Sequence, residues 1–158
     1  MIIEDLVRSG HLDFSGIPLN YYLLGLLSAF ENRFQAMADR TMGEISWKQF
    51  FAVICVSLCK EPPTLRELSG ILGSSHQNVK QILLKLEKKG FIRFQADEKD
   101  RRKQRIVLTE RCLRFCEKNN EAGEAVMGRM FDGIPEEDLA VTIRTITGIE
   151  KNLGRIEA

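Results

Sequence analysis

Side chains suited to work on a nucleic acid are concentrated in one stretch of this sequence. From His76 to Arg105 there are ten Lys or Arg and four Asp or Glu, a net of +6. The remaining residues carry thirteen basic and eighteen acidic groups, a net of −5, so the formal net charge of +1 hides a strong asymmetry. A basic patch on an acidic body is the electrostatic footprint of a site for a polyanion. Inside the patch, Ser75, His76, Gln77, Asn78, Lys80, Gln81 and Lys85 alternate with Val79, Ile82, Leu83 and Leu86. On a helix the second set holds one face to a core and leaves the first set outward. An amide side chain can bond two atoms of an adenine edge, and a lysine reaches guanine acceptors or phosphates. A solvated helix face has the same composition, so its surroundings must decide.

Those surroundings include a second cationic element. Lys99, Arg101, Arg102, Lys103 and Arg105 follow closely, with Asp100 alone among them. A cationic tip suits phosphates and the negative potential of a minor groove. Charge runs are usually solvated turns, but this one directly follows the candidate reading helix. That adjacency favours contact with phosphate or groove.

The four cysteines offer different chemistry. Cys55 and Cys59 are spaced i, i+4, and so are Cys112 and Cys116, which puts each pair on one helix face. Were the two faces to meet, four thiolates would suit zinc or another soft metal, or a redox couple. Helical Cys-x-x-x-Cys is not the usual zinc spacing, however, and cysteine is among the most buried residue types. Packing is therefore the preferred reading, Leu58, Val56 and Phe115 beside them read as core, and neither a metal nor a cofactor is expected. His11 and His76 are too scattered to add a metal site. Trp47, Phe50 and Phe51 either line an aromatic-binding pocket or pack as core. Trp47 and Phe51, with Cys55, Cys59, Cys112 and Cys116, are the candidates for an effector or redox response.

Stepping along the chain, the first sixteen residues read as a short helix or arm. From Pro18, the spacing of Tyr22, Leu23, Leu26, Leu27, Phe30, Phe34 and Met37 predicts a long amphipathic helix to about Arg40. Three helix starts then share one signature, a hydroxyl residue with Glu or Gln three places on: Ser46 with Gln49, Thr64 with Glu67, Ser74 with Gln77. The second and third helices so started end at Gly73 and Gly90. Phe91-Ile92-Arg93-Phe94 and Ile106-Val107-Leu108 read as two short strands around the charged tip. Thr109 caps a helix from Glu110 to about Phe131. Pro135 starts the last helix, whose apolar face is Leu139, Ile143, Ile146, Ile149 and Leu153. The fold class is mainly α with a small β-hairpin wing, a winged helix-turn-helix.

A length of 158 residues with 44% hydrophobic and 28% charged residues suits one globular chain and excludes disorder. No run of about eighteen apolar residues predicts a membrane span. The start, Met-Ile-Ile-Glu-Asp, lacks the order of a secretory signal, which predicts a cytoplasmic protein with reduced thiols.

The stretch Leu65 to Thr109 resembles the MarR (multiple antibiotic resistance regulator) family. The resembling pieces are Leu-Arg-Glu-Leu-Ser-Gly-Ile-Leu-Gly, Leu-Glu-Lys-Lys-Gly-Phe-Ile and Asp-Arg-Arg-Lys-Gln-Arg-Ile-Val-Leu-Thr, the last matching the family's wing pattern of Asp-x-Arg followed by Leu-Thr. The resemblance implies a homodimer built from N- and C-terminal helices and binding pseudo-palindromic operators. It puts Asp100 and Arg102 on the wing positions, with Arg102 in the minor groove. It also implies a small ligand or oxidant held between the first, second and fifth helices. One departure is Cys112, where the family usually has glycine. On this reading 1–158 is a single chain, 46–109 the DNA-binding region, and 1–45 and 110–158 the dimerisation helices.

Other classes fare worse. No paired catalytic carboxylates, Gly-rich phosphate loop or Cys–His–Asp set suggests an enzyme. A winged helix serving protein contacts alone predicts an acidic or apolar face, the opposite of what is written here. The expectation is a DNA-binding transcriptional regulator, a repressor in the simplest case, with double-stranded DNA and a second copy as partners, an effector open, and no membrane. A thiol-based redox or metal sensor is the alternative form of the same regulator.

Overall fold

The computed structural model describes residues 16–156. The expected N-terminal helix or arm lies outside the described residues, apart from Gly16. The elements are α1 (Leu19–Met42), α2 (Trp47–Leu58), α3 (Leu65–Ile71), α4 (His76–Lys88), β1 (Ile92–Ala96), β2 (Gln104–Leu108), α5 (Glu110–Met130) and α6 (Glu136–Ile156). The chain forms two compact units, one ending at Cys112 and one running from Leu113 onward.

The first unit is built by caps and glycines that the sequence announces. Ser46 accepts from the amide of Gln49 while the Gln49 side chain returns to the Ser46 amide, and Thr64 and Glu67 repeat this reciprocal pair. The third start differs from expectation. The cap of α4 is Ser75, which accepts from the Asn78 amide at 3.3 Å, one residue later than Ser74 with Gln77. Ser74 instead follows Gly73 in the turn, and its hydroxyl takes a 2.8 Å bond from the Asn78 side chain. Asparagine is too short to close a return bond to the cap and settles for this nearer partner.

Two turns set the geometry of the unit, and both end a helix in the same way. At Gly73 (φ +58) the amides of Gly73 and Ser74 bond back to Gly70 and Ser69. At Gly90 (φ +73) the amides of Gly90 and Phe91 bond back to Glu87 and Leu86. These left-handed positions satisfy carbonyls that a helix end would leave open, and glycine takes them without a Cβ penalty. The first turn separates α3 from α4; the second delivers the chain into the hairpin.

Helices α2, α3 and α4 pack on one another, with β1 against α4 and β2 against α2 and α3. Val53, Leu68, Val79, Leu83, Leu86, Phe91, Ile106 and Cys112 are fully buried between them. Each large aliphatic side chain so covered contributes roughly 1.5–3 kcal/mol. Phe91 is core but precedes the strand, and β2 begins two residues before Ile106. Leu58, read as core beside the cysteines, is 78% exposed. It is the last residue of α2, beyond the reach of α3 and β2.

The hairpin is antiparallel, with Ile92 opposite Leu108 and Ala96 opposite Gln104. Thr109 ties its end down. Its hydroxyl donates to the Gly90 carbonyl at 2.6 Å and accepts from the Cys112 amide at 3.3 Å, so one side chain joins the α4–β1 turn to the cap of α5. Arg111 in that first turn lies over the Phe91 ring and pairs with Glu44. In the second unit, α6 opens with Glu136, Glu137 and Asp138 at its positive end. None of its residues is buried.

Candidate nucleic-acid interface

The polar face of α4 resolves into rows. Val79, Leu83 and Leu86 are fully buried and hold the helix to the core. Opposite them, Gln77, Gln81 and Lys88 stand exposed at helical spacing. On the flank toward the hairpin, His76, Lys80 and Leu84 line one wall of an open groove. The other wall comes from the wing, with Phe94, Arg102, Lys103 and Gln104, and the floor from Thr64, Leu65, Arg66 and Glu67 of α3. Four of the expected residues, His76, Lys80, Arg102 and Lys103, are therefore brought together around one concavity.

The other expected residues fall elsewhere on the same unit. Ser75 is the cap of α4 and Asn78 its partner, so both have structural work. Lys99 and Arg101 are exposed on the wing tip but do not line the groove. Lys85 faces a separate depression with Asp39, Glu44, Ser46, Gln49 and Lys89. There Lys89 donates to the Glu44 carbonyl at 2.7 Å and to the Gln49 side chain at 3.3 Å.

The wing's acids organise its backbone. Asp97 accepts from the amides of Lys99 and Asp100 at 2.9 and 2.8 Å, and Asp100 accepts from Arg102 at 3.2 Å. Lys103 pairs loosely with Asp100 at 3.5 Å, with both side chains half exposed. Arg105 behaves differently from the four cations before it. Its Nε donates to Asp97 at 2.6 Å and its Nη1 to Glu67 at 3.2 Å. The Arg105 hydrogen bond and the two amides hold the Asp97 carboxyl down at about 2, and the Asp97 bond holds the Arg105 guanidinium charged. The Glu67 carboxyl is also lowered, first by its bond from the Thr64 amide. Of the five cations counted in the sequence, Arg105 is thus tied into the wing and Lys103 is loosely paired, while Lys99, Arg101 and Arg102 stand exposed at the tip.

Arg66 and Gln104 line the groove and Lys88 stands on the outward row of α4; none was expected. Lys88 carried a readable signal, since it continues the Gln77–Gln81 row two turns further on. Arg66 lies before the basic stretch, and only the crossing of α3 and α4 brings it there.

Of the effector candidates, Trp47, Phe51, Cys55, Cys59 and Cys112 belong to the first unit and Cys116 to the second. Trp47 is the hub of an aromatic cluster, edge-on to Phe34 at 4.6 Å and stacked on Phe51 at 5.9 Å. Phe30 stacks on Phe34 in turn, and Phe30 and Phe51 keep large exposed faces. Cys55 and Cys112 are buried, Cys59 and Cys116 half-buried. Burial, with Cys59 adding to it, pushes the Cys55 thiol up, which disfavours the reactive thiolate. Cys59 donates its thiol to the Cys55 carbonyl at 3.2 Å. Among the described residues no group of three or more His, Cys, Asp or Glu is set to hold a metal ion. Among them, too, no helix is long and apolar enough to cross a membrane.

Known proteins share this fold. The model of the MarR family matches residues 45–103, the segment that holds the whole groove apart from Gln104 and Arg105. A MarR/EmrR family transcriptional regulator from Acinetobacter sp. ADP1 is similar with a TM-score of 0.77 and 15% identity, over 88% of this chain and 99% of that one. MepR of S. aureus, solved as a complex with DNA, is similar with a TM-score of 0.71 and 18% identity, over 81% of this chain and 95% of its own. CouR from Rhodococcus jostii RHA1, solved with p-coumaroyl-CoA, gives a TM-score of 0.71 and 20% identity, over 85% and 95%. At such identities the structures speak for the fold, and the family model speaks for the segment. Residues 45–103 thus match the MarR family model, and over most of its length the chain is alike in fold to MarR-family transcriptional regulators.

Proposed function

We propose that this regulator binds double-stranded DNA sequence-specifically as a homodimer and acts as a repressor at pseudo-palindromic operators. The observation that carries the reading is the groove between α4 and the wing, where Arg66, His76, Lys80, Arg102 and Lys103 converge beside the outward row Gln77, Gln81 and Lys88. Amides on an exposed helix row can read base edges in a major groove, while flanking cations take phosphates. MepR, alike in fold, was solved on DNA. Residues 46–109 are the DNA-binding region on this reading, and 1–45 with 110–158 supply the dimer contacts. Two copies would then read half-sites roughly 34 Å apart.

Two substitutions test the division of labour. Gln81→Ala should cost about 1–3 kcal/mol on the preferred operator and little on random DNA. Arg102→Ala should weaken both and lower the logarithmic salt slope by about one. Titrations across salt concentration on both DNAs measure this. Equal losses for Gln81→Ala on the two DNAs would remove it from base reading, and an unchanged slope would remove Arg102 from the phosphates.

A small-molecule effector is the second reading, favoured by the half-open aromatic cluster around Trp47. CouR was solved with an aromatic acyl-CoA. Trp47 is the single tryptophan, so its fluorescence reports directly on that cluster. Planar aromatic acids should quench it and Phe51→Ala should weaken the effect; no response across such a panel would count against the cluster as a ligand site. The buried thiols Cys55 and Cys112 fit packing better than sensing.

A further inference from the structure

We infer that Arg105 is the positioning residue of the wing, a strut that fixes the cationic hairpin to the start of α3. The functional weight of this inference rests on the DNA-binding reading above; the geometry does not.

A hairpin of two five-residue strands is marginal alone and needs something to hold its angle. The outer edge of β2 meets the segment before α3 through one backbone bond, from the Ile106 amide to the Pro63 carbonyl at 2.8 Å. Arg105, next to it, adds three more contacts. Its Nε reaches Asp97 within the wing, while Nη1 reaches the Pro62 carbonyl at 3.1 Å and the Glu67 carboxylate at 3.2 Å. Only a forked, planar cation spans such divergent acceptors; an ammonium at the end of a flexible stem does not.

Both ends of this strut are themselves engaged. Glu67 closes the cap of α3, accepting from the Thr64 amide at 2.7 Å and its hydroxyl at 2.9 Å. Asp97 holds the amides of Lys99 and Asp100, and the Asp100 carbonyl in turn holds the Lys103 amide at 2.8 Å. A continuous path therefore runs from the α3 cap through Arg105 to the tip that carries Arg102. The Arg105 side chain is only 26% exposed and that of Asp97 11%, so although Arg105 borders the groove, its guanidinium is mostly engaged within the protein. The cation that composition counts among DNA contacts instead aims the others.

The test compares Arg105→Lys, Arg105→Met and Asp97→Asn in the full chain. Two quantities are read: amide hydrogen exchange at Lys99, Asp100 and Lys103 without DNA, and affinity for a random-sequence duplex. A strut requires all three variants to speed exchange at those amides by about tenfold, with α4 amides unchanged. Adding Asp97→Asn to Arg105→Met should then give little further change, because both break one network. Lysine keeps the charge, so Arg105→Lys should bind DNA as weakly as Arg105→Met. If Arg105→Lys keeps parental exchange and affinity while Arg105→Met loses affinity, Arg105 is a phosphate ligand and the inference fails. Parental exchange in Arg105→Met and Asp97→Asn overturns it as well. Should the parent protein bind no duplex at all, the DNA-binding reading fails and the exchange data alone still judge the strut.

Discussion

Helices α4 and α6 are both amphipathic, yet only α4 has fully buried residues among the described residues. Along the thirteen residues of α4, Val79, Leu83 and Leu86 are fully buried. Along the twenty-one residues of α6 none is buried, and Ile143 is 65% exposed. The difference is one of neighbours. Helix α4 faces α2, α3 and β1 within its own unit. In the row Leu139, Ile143, Ile146, Ile149 and Leu153, no residue is buried among the described residues, and Ile143 and Leu153 are more than half exposed. An apolar stripe states that a face must be covered; it does not state by what. For α6 the proposed cover is a second copy of the chain, and Leu24, Leu26 and Phe30 of α1, all exposed, extend the same need.

The comparison breaks first if α6 is dispensable. Ile143→Asp should place a charge in the proposed interface and convert dimer to monomer, seen by light scattering at micromolar concentration. Operator affinity should fall on the order of a hundredfold as the two half-sites lose their linkage. A variant that stays dimeric with parental affinity would show that this row is not the interface.

Leu83→Ala probes the packed side. Truncating a fully buried leucine should cost about 2–5 kcal/mol, read from denaturant midpoints. The loss should not depend on protein concentration, since it arises inside one unit. A concentration-dependent loss would mean that α4 also relies on the assembly.

The smallest effect is confined to the wing. Asp97 has its carboxyl lowered to about 2 from an ordinary 3.8, principally by Arg105. A depressed carboxyl contributes stability that is complete above its unfolded value and is lost as pH falls through the folded one. The wing amides of Lys99 and Asp100 should therefore keep their protection down to about pH 4 and lose it toward pH 2. Amide protection, normalised for the pH dependence of intrinsic exchange, tests this. Asp97→Asn should show no such window, and a window that persists in that variant would assign the acid step to another group.

Much of this protein was legible before folding because the signals are local. Two capping pairs, two helix-ending glycines and the Thr109 cap each act within a few residues. The order of helices and strands follows from them. The basic stretch and the amide row of α4 were legible too, since charge and helical period are written in the chain. Even the miss at Ser74 was a matter of one residue, decided by whether Gly73 or Ser74 takes the turn.

What tertiary structure decided is which polar groups are spoken for. Arg102 and Arg105 are the same residue type three positions apart and both border the open groove, yet the guanidinium of Arg105 is taken up by Asp97, Glu67 and a carbonyl. Arg66 lies outside the basic stretch and enters the groove only because α3 crosses α4 there. Lys85, on the polar face, looks instead toward the α1–α2 connection. Local sequence sets helical period and end chemistry, because those interactions span four residues or fewer. The partners of a long side chain come from segments some forty residues distant, as Lys89 with Glu44 and Arg105 with Pro62 illustrate. Such pairs exist only once the elements have packed.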